Sequence, residues 1–375
     1  MRILHIVTLL SPDSAYGGPV RVALNQCAAL NNRGHHTTVV AAARGYPTPP
    51  TSLHEVDVHA FPARVTLPKI GFAGLRGVGM SRWLRSQLRD IDVAHIHLAR
   101  DFVTLPAARI FAAAKVPFVV QPHGMVDPSR RLLAKPLDLM WTRPALSAAD
   151  TVFYLTPREA TELRTVARSQ LSLRELNNGV PVAASVPSST HVKSRPEVLF
   201  LARLHRRKRP EMFVQMAQQL LRDGFDVDFA LAGPDEGAKQ EVYQLMSDSP
   251  DRRIRYEGPV ASGAVSQRMS KASIYVLPSV DEPYPMSVLE AMAVGRPVVV
   301  TDTCGLAPLV RATRSGMVVG SDLESLTSAV RQLLTTPALW REFSHNARRT
   351  AVEQLSMAPV ADILEECYHH AVARC

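Results

Sequence analysis

One pattern occurs twice along this chain, once on each side of a Ser-, Pro- and Thr-rich stretch: short segments apolar at nearly every position, separated by segments of helical period. A strand with one wet face alternates apolar and polar residues, whereas a strand apolar throughout is buried on both faces. Such strands build parallel sheets covered by helices. In the first half these segments are 3–10, 37–43, 93–98, 118–121 and 152–155, with a helix over about 20–33. In the second they are 197–204, 227–232, 254–257, 274–278, 297–301 and 316–319. Between them Asn177-Asn178-Gly179-Val180-Pro181 and the run to Pro196 read as a linker. Each half therefore predicts an α/β, doubly wound, Rossmann-like domain. The expected boundaries are 1–182 and 183–355, and a C-terminal helix, 356–375, is expected to pack back on the N-terminal domain.

Composition narrows the setting. No apolar run approaches the roughly 20 residues that a spanning helix needs, and residues 1–10 read as a buried first strand in preference to a signal peptide. Cys27, Cys304, Cys367 and Cys375 have neither disulfide nor zinc spacing, as suits a reducing cytosol. The net charge of +9 is uneven: residues 1–180 carry 21 Lys and Arg against 12 Asp and Glu, the remainder 22 against 22. That excess points to an anionic partner for the first half, with a solvated basic face as the plainer alternative. The stretch 69–89 mixes Lys69, Arg76, Arg82, Arg85 and Arg89 with Ile70, Phe72, Leu75, Met80, Trp83 and Leu84. On a helix Met80, Trp83, Leu84 and Leu88 share a face, which suits either an anionic membrane surface or the core.

Ligands of open α/β sheets sit beyond the carboxyl ends of the strands, so the residues following each strand carry the chemistry. After 274–278 comes Ser279-Val280-Asp281-Glu282-Pro283-Tyr284-Pro285, then a helix from Met286 that Gly295 ends. The unpaired N–H groups at such a helix start attract a phosphate or sugar oxygen. A carboxylate can accept from two adjacent hydroxyls, so Glu282 and Glu290 can hold two different polyols. The residues equally allow Glu282 as a capping acid and Glu290 as a surface position. After 197–202 comes Arg203-Leu204-His205-Arg206-Arg207-Lys208-Arg209, a basic loop suited to a diphosphate, with Arg206, Arg207 and Arg209 also readable as solvated. In the first half, Gly17-Gly18 permits close backbone approach to a bound group. His123 follows a strand, while His95 and His97 share a face without a third metal ligand nearby.

Together these segments resemble the retaining GT-B glycosyltransferases of family 4. The matching pieces are Tyr16-Gly17-Gly18-Pro19, His123-Gly124-Met125, Asn178-Gly179-Val180, Arg203 with Lys208, Ala232-Gly233-Pro234, and Glu282 through Pro297. Two departures are Pro283 and Pro285, which remove N–H donors where the family often has glycine, and Cys304 to Leu309, which replace a Gly-Gly and a glutamate.

The resemblance implies two Rossmann-like domains facing each other across a cleft. It implies that Glu290 holds the ribose, Arg203 and Lys208 the diphosphate, and Glu282 the donor sugar. Gly17 and Gly18 approach donor or acceptor, His123 lies near the transferred sugar, and the amides of Met286, Ser287 and Val288 receive phosphate or sugar oxygens. No metal or cofactor is implied, the nucleotide sugar being a co-substrate. The expected function is sugar transfer with retention onto a sugar or lipid-linked acceptor in cell-surface polysaccharide or glycolipid assembly. The expected setting is cytoplasmic or peripheral at the inner membrane face, with no nucleic-acid partner. The alternatives are a GT-B nucleotide-sugar epimerase or hydrolase and a non-catalytic binding protein. A GT-A transferase needs a metal-binding Asp-x-Asp, and both Asp90-Ile-Asp92 and Asp226-Val-Asp228 lie before strands, not after them.

Overall fold

The apolar runs form parallel strands because nothing along them can face water: Val198 to Phe200 and Val298 to Val300 are completely buried. The computed structural model describes all residues except 13–16, 68–70, 130–133, 183–194, 249 and 375, and not the side chains of Gly17, Phe72 and Ser262. Most of the expected linker therefore lies outside the described residues. The chain divides into two compact units, one of Met1–Gly179 with Met357–Cys375, the other of Val180–Ser356.

In the first unit the strands are β1 (Arg2–Leu10), β2 (His36–Ala43), β3 (Ser52–Leu53), β4 (Val56–Val65), β5 (Leu75–Gly77), β6 (Val93–Ile96), β7 (Phe118–Val120), β8 (Thr151–Tyr154) and β9 (Leu173–Glu175). Their order is β3-β4-β2-β1-β6-β7-β8-β9, with β5 paired to β4. Pairing is parallel except where β3 and β5 meet β4. The sequence reading missed β4, which alternates buried Val56 and Val58 with exposed Asp57 and His59, as a strand with one wet face does.

In the second unit β10 (Glu197–Leu201), β11 (Asp228–Ala232), β12 (Ile254–Tyr256), β13 (Ile274–Leu277), β14 (Val298–Thr301) and β15 (Gly316–Val319) lie in the order β12-β11-β10-β13-β14-β15, all parallel. Both sheets reverse their winding once, between β1 and β6 and between β10 and β13. Those are the switch points where doubly wound sheets bind ligands.

Local signals set the helices. Proline opens those at Pro157, Pro210 and Pro337, where its missing N–H is no loss. The Thr156 and Asp322 side chains accept from Glu159 and Ser325 amides. The C-terminal helix Met357–Ala373 belongs to the first unit, burying Val360, Leu364, Cys367 and Tyr368 against Ile3, Val93, Val119 and Phe153. Ion pairs from Arg33 to Asp362 (2.6 Å) and Glu365 (2.8 Å) fasten its outer side.

The stripe considered for a membrane surface belongs to the core. In the helix Met80–Gln87, Met80 and Leu84 are buried in the first unit, and Trp83 stacks on His59 at 4.2 Å. Leu88 packs against the same core. Arg82, Arg85 and Arg89 remain exposed, whereas Lys69 and Ile70 lie outside the described residues. No helix among the described residues is long and apolar enough to cross a membrane.

Candidate functional site

In the second unit the loops after β10 and β13 meet at the switch point. A short turn, Arg206–Lys208, is capped by the His205 ring, which accepts from the Arg207 amide, and brings Lys208 back toward the sheet. The Val280 amide donates to the Arg207 carbonyl at 2.9 Å, joining the two loops. The Lys208 ammonium lies 2.7 Å from a Glu282 oxygen, and the Arg207 guanidinium 3.5 Å from the same oxygen. Burial pulls the Lys208 ammonium below its usual range while Glu282 acts to raise it. Arg203 donates to both carboxylate oxygens of Glu236, each at 2.7 Å. Glu282 and Glu236 thus engage cations that a diphosphate would also attract. Arg206 and Arg207 are exposed, and Arg209 donates to the Ser321 carbonyl at 2.7 Å.

Two glycines let these loops close. Gly233, with φ of 145°, sits where a Cβ would lie 1.9 Å from the Ala202 carbonyl oxygen. Gly305 donates to the Glu282 carbonyl at 2.8 Å, and a Cβ on it would lie 1.8 Å from the Pro283 carbonyl oxygen. Only hydrogen fits at either place. Gly305 therefore holds the backbone of the Glu282 loop, a role for the Cys304 to Leu309 segment that the sequence did not reveal.

The helix Met286–Ala293 begins at this loop with no side-chain cap at Pro285. The first-turn amides of Met286 and Ser287 precede any intrahelical acceptor. The Val288 amide donates to the Pro285 carbonyl at 3.1 Å. Ser287 is positioned by Tyr275, whose buried hydroxyl lies 2.7 Å from the Ser287 Oγ and donates to the Leu201 carbonyl at 3.1 Å. Burial raises the Tyr275 phenol, which stays a neutral donor. Glu290 lies a turn further along, half-buried.

In the first unit His123 and Gly124 follow β7 with φ of 56° and 73°. Left-handed backbone at a histidine needs support, and Glu159 supplies it: one carboxylate oxygen accepts from the Gly124 amide, the other from the Leu155 amide, at 2.5 and 2.7 Å. Burial holds the Glu159 carboxyl above the usual range, the two amides acting against it. The His123 Nε2 lies 2.7 Å from the Nδ1 of His97, whose Nε2 lies 3.2 Å from the Nδ1 of His5. Burial pushes His5 and His123 down to about 3 and His95 and His97 well below their ordinary value. All four rings are neutral at physiological pH. Gly17 opens the helix Gly17–Asn31, and a Cβ on Gly18 would meet nothing within 4 Å, so packing does not explain that glycine. Tyr16 lies outside the described residues.

Residues 17–179 match the glycosyl transferase 4-like domain family, and residues 195–336 the glycosyl transferases group 1 family. The chain belongs to the GT-B glycosyltransferases of family 4. Among its relatives, the α-D-kanosaminyltransferase of Streptomyces kanamyceticus is 27% identical over 335 residues, 80% of this chain and 84% of that one. The GDP-mannose-dependent α-mannosyltransferase of Mycolicibacterium smegmatis is 28% identical over 381 residues, 94% of this chain and 93% of that one. The fold agrees with the solved structure of Anabaena HepE in complex with UDP, with a TM-score of 0.75 at 17% identity, covering 99% of this chain and 100% of that one.

In this glycosyltransferase Arg203, Lys208, Glu282, Met286, Ser287, Val288 and Glu290 all fall in the second unit, on two loops and the helix that follows. Gly17, Gly18 and His123 fall in the first. Sequence reasoning missed Glu159, Glu236 and Tyr275. Glu159 had a signal, standing three residues after the helix cap Thr156 as in a capping box, but its carboxylate turns to Gly124 and Leu155. Glu236 had none, since its partner Arg203 is 33 positions away. Among the described residues no group of three His, Cys, Asp or Glu side chains is arranged to hold a metal ion.

Proposed function

We propose that this glycosyltransferase takes its sugar from a nucleoside diphosphate sugar and transfers it to an acceptor hydroxyl with retention of configuration. The observation that carries the donor reading is the Arg203, Lys208 and Glu282 cluster beside the uncapped start of the helix Met286–Ala293, at a switch point. Arg203, Lys208 and the amides of Met286 and Ser287 neutralise the leaving diphosphate. Glu290 accepts from the ribose hydroxyls. Glu282 binds the donor sugar and releases Lys208 to the phosphate as it does so. His123 hydrogen-bonds the transferred sugar. The acceptor attacks from the face the diphosphate leaves, through an oxocarbenium-like state stabilised electrostatically.

The test is calorimetric titration of nucleoside diphosphate into wild type, Lys208→Ala, Glu290→Ala and Glu282→Gln. A charge-assisted hydrogen bond is worth roughly 1.5 to 3 kcal/mol, so the first two variants should lose about ten- to a hundredfold in affinity. Glu282→Gln should make affinity fall at a lower pH than in wild type as the solution is made alkaline, because Lys208, already lowered by burial, loses the carboxylate that raises it. Unchanged affinity in both Ala variants would sink the donor reading. Release of diphosphate from a donor without any acceptor would favour a hydrolase.

The acceptor is proposed to belong to cell-surface polysaccharide or glycolipid assembly at the inner face of a membrane. The excess charge of residues 1–180 supports this, as do the exposed Leu139 and Met140 beside the exposed Lys135.

A further inference from the structure

Behind His123 the first unit buries a file of polar side chains that the transfer reaction described above does not use. His5 on β1 is in register with His95 on β6, and His97 follows β6 on the same face. All three are completely buried. The C-terminal helix closes the file with Tyr368, whose hydroxyl lies 2.6 Å from the His95 Nδ1 and 3.5 Å from the His5 Nε2. His5 then meets His97, and His97 meets His123. Beside the file Gln121 accepts from the Gln26 side chain and donates to Asn178.

A neutral imidazole carries one N–H, so each ring can donate only once and the file must run in one direction. The direction is set where it meets Tyr368. The hydroxyl has one proton to give, and of its two ring neighbours the His95 Nδ1 at 2.6 Å is far nearer than the His5 Nε2 at 3.5 Å. Tyr368 therefore gives its proton to the His95 Nδ1, and its oxygen can only accept from His5. His5 carries its proton on Nε2, so its Nδ1 accepts from the His97 Nε2. The His97 Nδ1 in turn accepts from the His123 Nε2. At the other end His95 carries its proton on Nε2, which has no hydrogen-bond partner among the described residues. Among the described residues nothing else is hydrogen-bonded to the His123 ring, which leaves its Nδ1 lone pair for a ligand.

We propose that Tyr368, acting through His5 and His97, is a positioning residue that fixes His123 as the Nε2–H tautomer, so that the His123 Nδ1 accepts a hydrogen bond from a sugar hydroxyl and does not donate to a sugar oxygen. The second clause rests on the reading that His123 meets the transferred sugar. The first does not. Twelve residues beyond the second unit, Tyr368 on the C-terminal helix thereby sets the chemistry of a ring on the loop after β7.

The experiment separates the two clauses. Long-range 1H–15N correlation spectra of the ligand-free full chain, labelled with 15N-histidine and assigned with His123→Gln, report the tautomer. His123 is expected as Nε2–H in wild type and as a mixture in Tyr368→Phe, which keeps the ring and removes the hydroxyl. Kinetically, Tyr368→Phe should lower kcat about tenfold, the loss of one hydrogen bond, and leave the KM for the donor within twofold. An Nδ1–H signal for His123 in wild type would overturn the proposal without any variant having to fold. So would a tautomer unchanged in Tyr368→Phe. If the tautomer behaves as stated but His123→Gln transfers sugar at the wild-type rate, the file stands and the role of His123 at the sugar falls.

Discussion

Four neutral histidines in one core make the first unit sensitive to acid, and the size of the effect can be worked out. The perturbation is a drop from pH 7.5 to 5.5. In the unfolded chain each ring titrates near its ordinary 6.5, whereas in the folded unit His5 and His123 titrate near 3 and His95 and His97 well below 6.5, all through burial. Below 6.5 the unfolded state therefore binds more protons than the folded one. Stability is full above about pH 7 and falls as pH drops, with no relief until the folded values are reached. At pH 5.5 an unfolded ring is about nine-tenths protonated, so His5 and His123 each cost about 1.4 kcal/mol, about 3 kcal/mol together, with His95 and His97 acting in the same direction. Asp101 and Glu159, whose carboxyls burial raises, act in the opposite sense, so a difference measurement is needed. Urea unfolding followed by tryptophan fluorescence in a Trp340→Phe background reads the first unit, since Trp83 and Trp141 both lie there. Adding His5→Gln should reduce the pH-dependent loss by about 1.4 kcal/mol, one ring's share. An identical loss with and without His5 would refute the reasoning.

Two further outcomes follow from the charged groups. Glu236→Gln should tighten nucleoside diphosphate binding up to about fivefold, because Arg203 loses a partly exposed partner worth at most about 1 kcal/mol; weaker binding would show that Glu236 orients Arg203 for the phosphate. If the first unit meets an anionic membrane, the chain should co-sediment with anionic vesicles at low salt and much less with neutral ones. Arg82, Arg85 and Arg89 changed together to Ser should weaken that binding, by on the order of 1 kcal/mol for each residue near the surface. Equal partitioning onto both vesicle types, or onto neither, would leave a soluble acceptor.

Much of the fold was written locally. Strands such as β10 and β14 are apolar at successive positions, and that alone requires burial on both faces and helices to cover them. Prolines and capping side chains mark helix starts within a few residues, so the two doubly wound halves were legible without tertiary information. The segment from Glu282 to Gly295 was legible too, because loop, helix start and both glutamates are contiguous.

What the sequence left open are relations between residues far apart along the chain. The stripe of Met80, Trp83 and Leu84 fits a core or a membrane equally, and only the packed helix decides for the core. Arg203 and Lys208 read as cations awaiting a phosphate until the fold supplies Glu236 and Glu282 as their partners. The histidines at 5, 95, 97 and 123 are unremarkable singly. Parallel pairing of β1 with β6 stacks the first three, the turn after β7 adds the fourth, and the C-terminal helix supplies Tyr368, 363 residues after His5. By itself the sequence determined which segments must be buried and which loop chemistry lies beyond them. Only the tertiary structure decided which charges neutralise one another and which histidines line up behind His123, because both depend on distances that chain order does not encode.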